Sequence, residues 1–375
     1  MRKIAMLLCG LLLPISAVCA KKELSSAPIV KIESGKVQGF IEEGTMAFKG
    51  IPYARTERFM PPQPVEKWDT VRLCTEWGPQ AMQGGRNSTN PKEMSEDCCV
   101  LNVWTTDLKG KKPVMLWCHG GGFDSGTSAW NPGMGLAKKD VVVVSLNHRL
   151  NIMGFLDLSG TGNPKYRESG NVGMLDVVAA LHWIQDNIAK FGGDPDRVTI
   201  FGESAGGISV SMLCASPLAA GLFRGAISQS GGSFGPYRQV TYPGENMQTL
   251  AMAEKDCCRV AEELGASTVE ELRALDPAAF SRYMMGAGGW PIVDGYVIPD
   301  DQTELYTAGK FNDVDVLIGY NSDEGASFGF TGQGLSHEES VRTRYNGFAD
   351  ALLAAYPVEA DGSVWKTARD LTRDA

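Results

Sequence analysis

The chain has 375 residues, of which 43% are hydrophobic and 21% are charged, and its formal net charge is −9. This much apolar sequence is enough for a large buried core, and the charges form no long run of one sign, which argues against global disorder. An acidic chain is a poor candidate for nucleic-acid binding, because that function requires concentrated Lys and Arg.

Residues 1–20 have the pattern of a secretory signal peptide. Two basic residues precede an apolar stretch at 4–15, and small residues end the segment at Ala20. We therefore predict cleavage near Ala20 and a secreted or periplasmic protein. A lipid anchor at Cys19 is the alternative. No later segment is apolar enough to span a membrane.

The cysteines that follow residue 20 are odd in number, so at least one thiol stays free or pairs between chains in an oxidising compartment. They are Cys74, Cys98, Cys99, Cys118, Cys214, Cys257 and Cys258. Their spacing matches no zinc site, since adjacent cysteines are poorly placed to chelate one ion. The sequence therefore predicts no metal site.

Apolar runs along the chain predict strands that alternate with helices. Residues 29–40 alternate apolar and polar side chains, which is typical of an antiparallel edge ribbon, whereas 52–95 is irregular. Apolar residues three or four positions apart predict a helix over 172–188. The predicted strands are 114–117, 141–146, 198–201, 226–227 and 314–318. This alternation indicates an α/β protein with a mainly parallel sheet covered on both faces.

Three segments match Gly-x-Ser-x-Gly, the pattern of a nucleophile elbow, and they centre on Ser204, Ser233 and Ser327. An elbow needs a buried strand that ends at the serine and a helix that begins directly after it. Only Ser204 has both flanks, with the strand 198–201 before it. Ser204 is therefore the predicted nucleophile, and the alternative is an ordinary serine in a glycine-rich turn.

A glycine-rich turn at 119–123 (HGGGF) follows the predicted strand 114–117. Ester cleavage puts negative charge on the former carbonyl oxygen, and loss of one amide aimed at that oxygen costs about 3 kcal/mol. Consecutive glycines let the backbone amides turn inward and let a substrate approach. A phosphate-binding loop is the alternative, but Gly-Lys-Ser/Thr does not follow. Together with the elbow, the turn predicts an oxyanion hole.

These motifs resemble those of the type-B carboxylesterase/lipase family, which includes cholinesterases and bacterial p-nitrobenzyl esterases. The resemblance runs from near residue 29 to the last residue, with the motifs in the family's order. They lie at 50–54 (GIPYA), 95–98 (SEDC), 101–104 (LNVW), 119–123 (HGGGF), 170–176 (GNVGMLD), 191–195 (FGGDP), 201–207 (FGESAGG), 229–231 (QSG) and 319–325 (GYNSDEG). The resemblance implies an α/β-hydrolase fold over 21–375, with a mainly parallel central sheet flanked by helices and incomplete at the C-terminus.

The resemblance also implies a role for each matching residue. Ser204 would be the nucleophile, and the amides of Gly121, Gly122 and Ala205 would form the oxyanion hole. Glu324 would be the triad acid, which holds a histidine in the right tautomer and stabilises its imidazolium.

Other matching residues are implied to be structural pairs. They are a disulfide between Cys74 and Cys98 and the ion pairs Arg58–Glu96 and Arg149–Asp176. Glu203, beside the predicted nucleophile, either tunes the site or holds the elbow.

The histidines depart from the family pattern. The family's catalytic histidine lies far beyond the acid, whereas this chain ends at residue 375, and none of the four histidines matches it. They are His119, His148, His182 and His337. We expect a C-terminally truncated enzyme that lacks the triad histidine and turns over esters slowly. Missing sheet edges would leave apolar surface exposed.

The sequence and the resemblance together predict a serine carboxylic ester hydrolase that acts through an acyl-enzyme, with no metal or organic cofactor. A small-molecule or glycan-linked ester is the expected substrate. Segment 78–95 holds no obvious aromatic box for a quaternary ammonium group, which argues against a cholinesterase. The alternative is a non-catalytic adhesion protein of the same fold, which the intact serine, glycine triplet and Glu324 disfavour.

Overall fold

The computed structural model describes residues 27–84, 93–231, 247–284, 289–324, 326, 336–358 and 364–374. The strands are β1 (Ile29–Ile32), β2 (Gly35–Gln38), β3 (Phe40–Glu42), β4 (Thr45–Pro52), β5 (Val71–Leu73), β6 (Val100–Thr105), β7 (Lys112–Cys118), β8 (Val142–Leu146), β9 (Gly193–Glu203), β10 (Gly225–Gln229), β11 (Gln248–Thr249), β12 (Ile292–Val293) and β13 (Asp315–Gly319). The α-helices are α1 (Met134–Ala137), α2 (Asn151–Phe155), α3 (Val172–Asn187), α4 (Ala205–Ala215), α5 (Leu250–Glu263), α6 (Val269–Ala274), α7 (Gln302–Thr307), α8 (His337–Tyr345), α9 (Ala349–Ala355) and α10 (Val364–Asp374).

An eight-stranded sheet organises the molecule, in the order β13-β10-β9-β7-β8-β6-β4-β3. The strands from β13 to β8 run parallel to one another, and β6, β4 and β3 add antiparallel pairings. Strand β8 is buried at every position, as β-branched runs in parallel sheets are. Helix α4 packs against β9 and β10, and α1 packs against β6 and β8. The predicted mainly parallel sheet with flanking helices is confirmed.

The direction in which successive strands are added to the sheet changes at β7. Strand β8 lies on one side of β7, and the chain then crosses over to place β9 on the other side. Ligands of open parallel sheets bind beyond the carboxyl ends of the strands at such a switch point. The loops that follow β7 and β9, which contain the glycine turn and Ser204, both begin there.

Local predictions largely match the observed elements. The antiparallel ribbon is β1 paired with β2, and the predicted helix 172–188 is α3. After α3 the left-handed Gly192, with φ of 80°, redirects the chain. Strand β9 begins at Gly193, earlier than the predicted 198, because its first part also borders β7.

Both implied ion pairs are present. Arg149 donates through Nε to Asp176 at 2.8 Å and through Nη2 at 2.6 Å, and both side chains are buried. Arg58 donates through Nε to Glu96 at 2.8 Å. Truncating one partner of a buried pair leaves an uncompensated charge, so the Arg149–Asp176 pair is hard to break.

The implied disulfide between Cys74 and Cys98 is not formed in the structure, where both residues are buried free thiols. Cys74 packs in the main core, and Cys98 packs with Ala81 and Leu150. Burial raises the pKa of Cys74 to about 12, so this thiol stays protonated and unreactive at neutral pH.

Strand β13 forms one edge of the large sheet and is exposed along its whole length. Val316, Leu317 and Ile318 are 58%, 63% and 59% exposed. Successive side chains of a strand point to opposite faces, so both faces of this edge are open to solvent. The expected exposure of apolar sheet edge is confirmed.

Some predictions fall outside the described residues, namely the signal segment 1–20 and the rejected serines Ser233 and Ser327. Among the residues that the structure does describe, no helix has both the length and the apolar character needed to cross a bilayer.

Candidate active site

Ser204 lies in a tight turn between β9 and α4, with φ of 56° and ψ of −125°. A side chain other than glycine rarely adopts such a conformation, which costs about 1–3 kcal/mol and is found where surrounding structure enforces it. The turn leaves Ser204 partly exposed while its neighbours Gly202 and Ala205 are buried. The predicted strand–turn–helix around Ser204 is therefore confirmed.

A close backbone approach holds this turn. A Cβ atom placed on Gly206 would lie 2.1 Å from the carbonyl oxygen of Cys118, the last residue of β7. Only glycine lets the first turn of α4 approach β7 this closely. The glycine two positions after the serine is thus required by packing, in agreement with the elbow pattern.

The glycine turn lies beside Ser204 because β7 and β9 end level with each other. Cys118 pairs with Gly202, so the residues after each strand run side by side. A Cβ atom on Gly120 would lie 3.2 Å from the Cβ of Ser204. The structure therefore brings together the two motifs from which the sequence predicted an oxyanion hole.

The turn needs glycine for two different reasons. Gly121 has φ of 116°, and a Cβ atom there would lie 2.0 Å from the carbonyl oxygen of Ser125. Gly122 has φ of 67°, and a Cβ atom there would meet nothing within 4 Å. Gly121 thus faces the folded loop, whereas Gly122 faces open space that a substrate could enter.

Ala205 supplies a further amide near the serine. It is the first residue of α4, whose first-turn N–H groups have no carbonyl partner within the helix. The amide of Ser204 itself donates to the carbonyl of Gln229 at 2.9 Å, which ties the turn to β10. The positive end of α4 therefore points towards the space beside the Ser204 hydroxyl.

Glu324 follows β13 and lies near the elbow. Its carboxylate accepts a hydrogen bond from Asn321 Nδ2 at 2.9 Å. Partial burial, together with the negative charge of Glu324, raises the pKa of Glu203 above its ordinary value. Two carboxylates from distant parts of the sequence are thus close to each other, and one of them, Glu203, directly precedes Ser204.

The four histidines occupy three different environments. His119 and His148 are buried and stack on each other, with ring centroids 4.9 Å apart and planes 13° apart. His182 is exposed on α3, and His337 is buried at the start of α8. In the part of the chain that the structure describes, none of them forms a hydrogen bond with Ser204 or Glu324.

Burial is the main reason that both stacked rings are neutral. It lowers the pKa of His119 to about 3, with a further contribution from His148, and it lowers the pKa of His148 to about 4. Neither ring is therefore poised to exchange protons near neutral pH.

Two residues that support the glycine turn were not predicted. Gln83 accepts from the amide of Gly126 at 3.0 Å and donates to its carbonyl at 3.0 Å. The amide of Asn151 donates to the carbonyl of Phe123 at 2.7 Å. Gln83 lies in the irregular segment 52–95, where no periodic pattern marks it. Sequence reasoning therefore had no signal by which to find this support.

Among the described residues, no cluster of three or more His, Cys, Asp or Glu side chains is placed to hold a metal ion.

A serine with strained backbone at the carboxyl edge of a mainly parallel sheet, between a strand and a helix, defines an α/β-hydrolase. Residues 26–367 match the carboxylesterase family. The chain belongs to that family.

Relatives and solved structures agree with this assignment. The chain is 40% identical over 324 residues to pyrethroid hydrolase Ces2e of Rattus norvegicus, covering 80% of this chain and 56% of that protein. It is 34% identical over 352 residues to fumonisin B1 esterase of Sphingopyxis macrogoltabida, covering 88% of this chain and 63% of that protein. The carboxylesterase Est55 of Geobacillus stearothermophilus superposes with a TM-score of 0.80 at 33% identity, covering 92% of this chain and 74% of that one. The chain thus spans 56–63% of the length of these two curated relatives.

Proposed function

We propose that this chain carries the nucleophile and oxyanion hole of a serine carboxylic ester hydrolase. One observation carries the proposal: Ser204 has a strained backbone at an elbow, directly beside the glycine turn. In the proposed site, Ser204 is the nucleophile and the amides of Gly121, Gly122 and Ala205 receive the oxyanion. Membership of the carboxylesterase family supports this chemistry.

The proposed reaction has two steps. The Ser204 oxygen attacks the ester carbonyl carbon, its proton passes to a base, and the carbonyl electron pair moves onto oxygen. The amides stabilise that oxyanion, each by about 3 kcal/mol. The intermediate then expels the alcohol, which takes up the proton, and leaves an acyl-enzyme. Water attacks this ester in the same way and releases the acid.

Glu324 is the proposed acid of the triad, since it lies after β13 and close enough to Glu203 to raise its pKa. Its task would be to orient a histidine and stabilise the imidazolium. In the described residues no histidine forms a hydrogen bond with Ser204, and a serine hydroxyl without a base is a weak nucleophile. We therefore expect residues 1–375 to hydrolyse esters slowly by themselves.

We propose small-molecule or glycan-linked esters as substrates. The named relatives act on pyrethroids and on fumonisin B1, which are different compounds. The proposal therefore specifies that the substrate has a carboxylic ester bond, and it does not specify one alcohol or acid. We further propose export with cleavage near Ala20, in which case the N-terminal sequence of the exported protein begins at or close to Lys21. Retention of residues 1–20 would contradict it.

The function is tested by reaction with a fluorophosphonate probe and by peptide mass spectrometry of the product. The expected result is labelling at Ser204, which Ser204→Ala abolishes. Ser230→Ala is the matched control, because Ser230 is partly exposed at the end of the neighbouring strand and has φ of 49°. Labelling is expected to be slow, because no histidine of the described residues is hydrogen-bonded to Ser204. A folded protein that takes no label at Ser204 even after prolonged reaction at high probe concentration would favour the non-catalytic binding protein and overturn the proposal.

A further inference from the structure

His119 is the first residue of the glycine turn, and its ring is packed against the turn on one side and against His148 on another. The ring is 3% exposed, and its Nδ1 is 2.9 Å from the carbonyl oxygen of Gly120. One face stacks on His148 at a centroid distance of 4.9 Å. The backbone of Gly126 approaches Nδ1 so closely that a Cβ atom there would lie 2.3 Å from it. The ring therefore has little freedom to rotate.

The contact with Gly120 determines the tautomer of His119. A carbonyl oxygen only accepts hydrogen bonds, so Nδ1 must carry the proton and donate it. The other nitrogen, Nε2, is buried and has no hydrogen-bond partner among the described residues. Protonating Nε2 would place a charge in this buried site next to His148, which is consistent with the lowered pKa of His119.

The same contact sets the direction of the Gly121 amide. In a trans peptide unit the C=O and the following N–H point in opposite directions. No cis peptide bond occurs among the described residues. Because the Gly120 carbonyl is bound to the ring behind the turn, the Gly121 N–H points away from the ring. Gly120 itself lies against Ser204, so the peptide unit that it shares with Gly121 is beside the serine.

We infer that His119 is a positioning residue for the oxyanion hole: its neutral Nδ1–H holds the Gly120 carbonyl and thereby aims the Gly121 amide. This inference rests on the proposed hydrolase function and deepens it. His119 is not the general base, since its proton-bearing nitrogen is already bound and its other nitrogen is buried. His148 stacks on the His119 ring and limits its rotation. The Nδ1 of His148 is itself hydrogen-bonded to the carbonyl oxygen of Arg149 at 2.9 Å.

Two amide substitutions distinguish positioning from a merely structural role. In His119→Asn the side-chain NH2 occupies the place of Nδ1 and retains the donor, whereas in His119→Gln the NH2 reaches the place of Nε2. Fluorophosphonate labelling of Ser204 is measured over a range of probe concentrations, which separates the maximal rate from probe affinity. Urea unfolding of each variant shows how far its folded state is weakened.

The expected result is that Gln lowers the maximal labelling rate about 100-fold with probe affinity within about twofold, because an oxyanion donor is lost in the transition state. Asn should keep the rate within about tenfold of wild type. Equal rates for the two variants, whether both unchanged or both lost with unfolding, would overturn the inference.

Labelling of the wild-type protein distinguishes failure of the positioning role from failure of the hydrolase function. If Ser204 takes no label in the wild-type protein even after prolonged reaction at high probe concentration, the hydrolase proposal itself is wrong. If Ser204 is labelled and Ser204→Ala abolishes the label, but the Asn and Gln variants of His119 behave alike, only the positioning role is wrong.

Discussion

Replacing Gly206 by alanine should damage the elbow more than a helix substitution normally does. Alanine is favoured over glycine in a helix by about 1 kcal/mol, so propensity alone predicts a gain. The added Cβ would, however, lie 2.1 Å from the Cys118 carbonyl oxygen, where ordinary contacts begin at 3.4 Å. Cys118 cannot retreat easily, because β7 is held between β8 and β9. Relief therefore requires α4 to shift by about 1 Å away from β7.

Two magnitudes follow from this shift. Overpacking a core typically costs about 1–3 kcal/mol, and the contact here is severe, so we expect a net loss of about 2 kcal/mol in the free energy of unfolding. A displacement of about 1 Å at a reacting group lowers rates about 100-fold. The rate of Ser204 labelling should fall by this factor, since α4 begins directly after the serine.

The assay is urea unfolding monitored by circular dichroism, and labelling kinetics are measured on the same preparations. Gly135→Ala is the matched control, because Gly135 is exposed in α1 and a Cβ atom there meets nothing within 4 Å. This control should be neutral or stabilising by up to about 1 kcal/mol. A Gly206→Ala protein with wild-type stability and labelling rate would refute the argument that close packing holds the elbow.

Three further predictions concern charge, pH and exposed apolar surface. Arg149→Met leaves Asp176 buried and unpaired and should lower the free energy of unfolding by about 3–5 kcal/mol in urea titrations. Arg342→Met, at an exposed pair, should change it far less. Burial lowers the pKa of the two stacked histidines to about 3 and about 4, so below pH 6.5 these rings bind more protons in the unfolded chain than in the folded one. Their contribution to stability should therefore fall with falling pH between about 6.5 and 4, by about 1.4 kcal/mol per pH unit for each ring. Leu317→Lys on the exposed edge strand should reduce self-association in light scattering, and an unchanged association would show that this edge does not drive it.

Much of the elbow could be predicted because its signals are local. An apolar run before Ser204, glycines on both sides and a helical pattern after it lie within a short stretch of chain, and each has one structural solution. The alternation of strands and helices likewise followed from periodicity and led to the observed sheet. The C-terminal part of the site was harder to predict from local sequence, since Glu324 has no local pattern that separates it from other loop carboxylates.

The sequence by itself determined that a serine follows a buried strand and precedes a helix, because hydrophobic periodicity and glycine spacing act over neighbouring residues. Only the tertiary structure decided what surrounds that serine. The level ends of β7 and β9 bring Gly120 against it, and His148 stacks on His119 behind the turn. These contacts join residues far apart in the chain, and they depend on strand order and register, which local patterns do not specify.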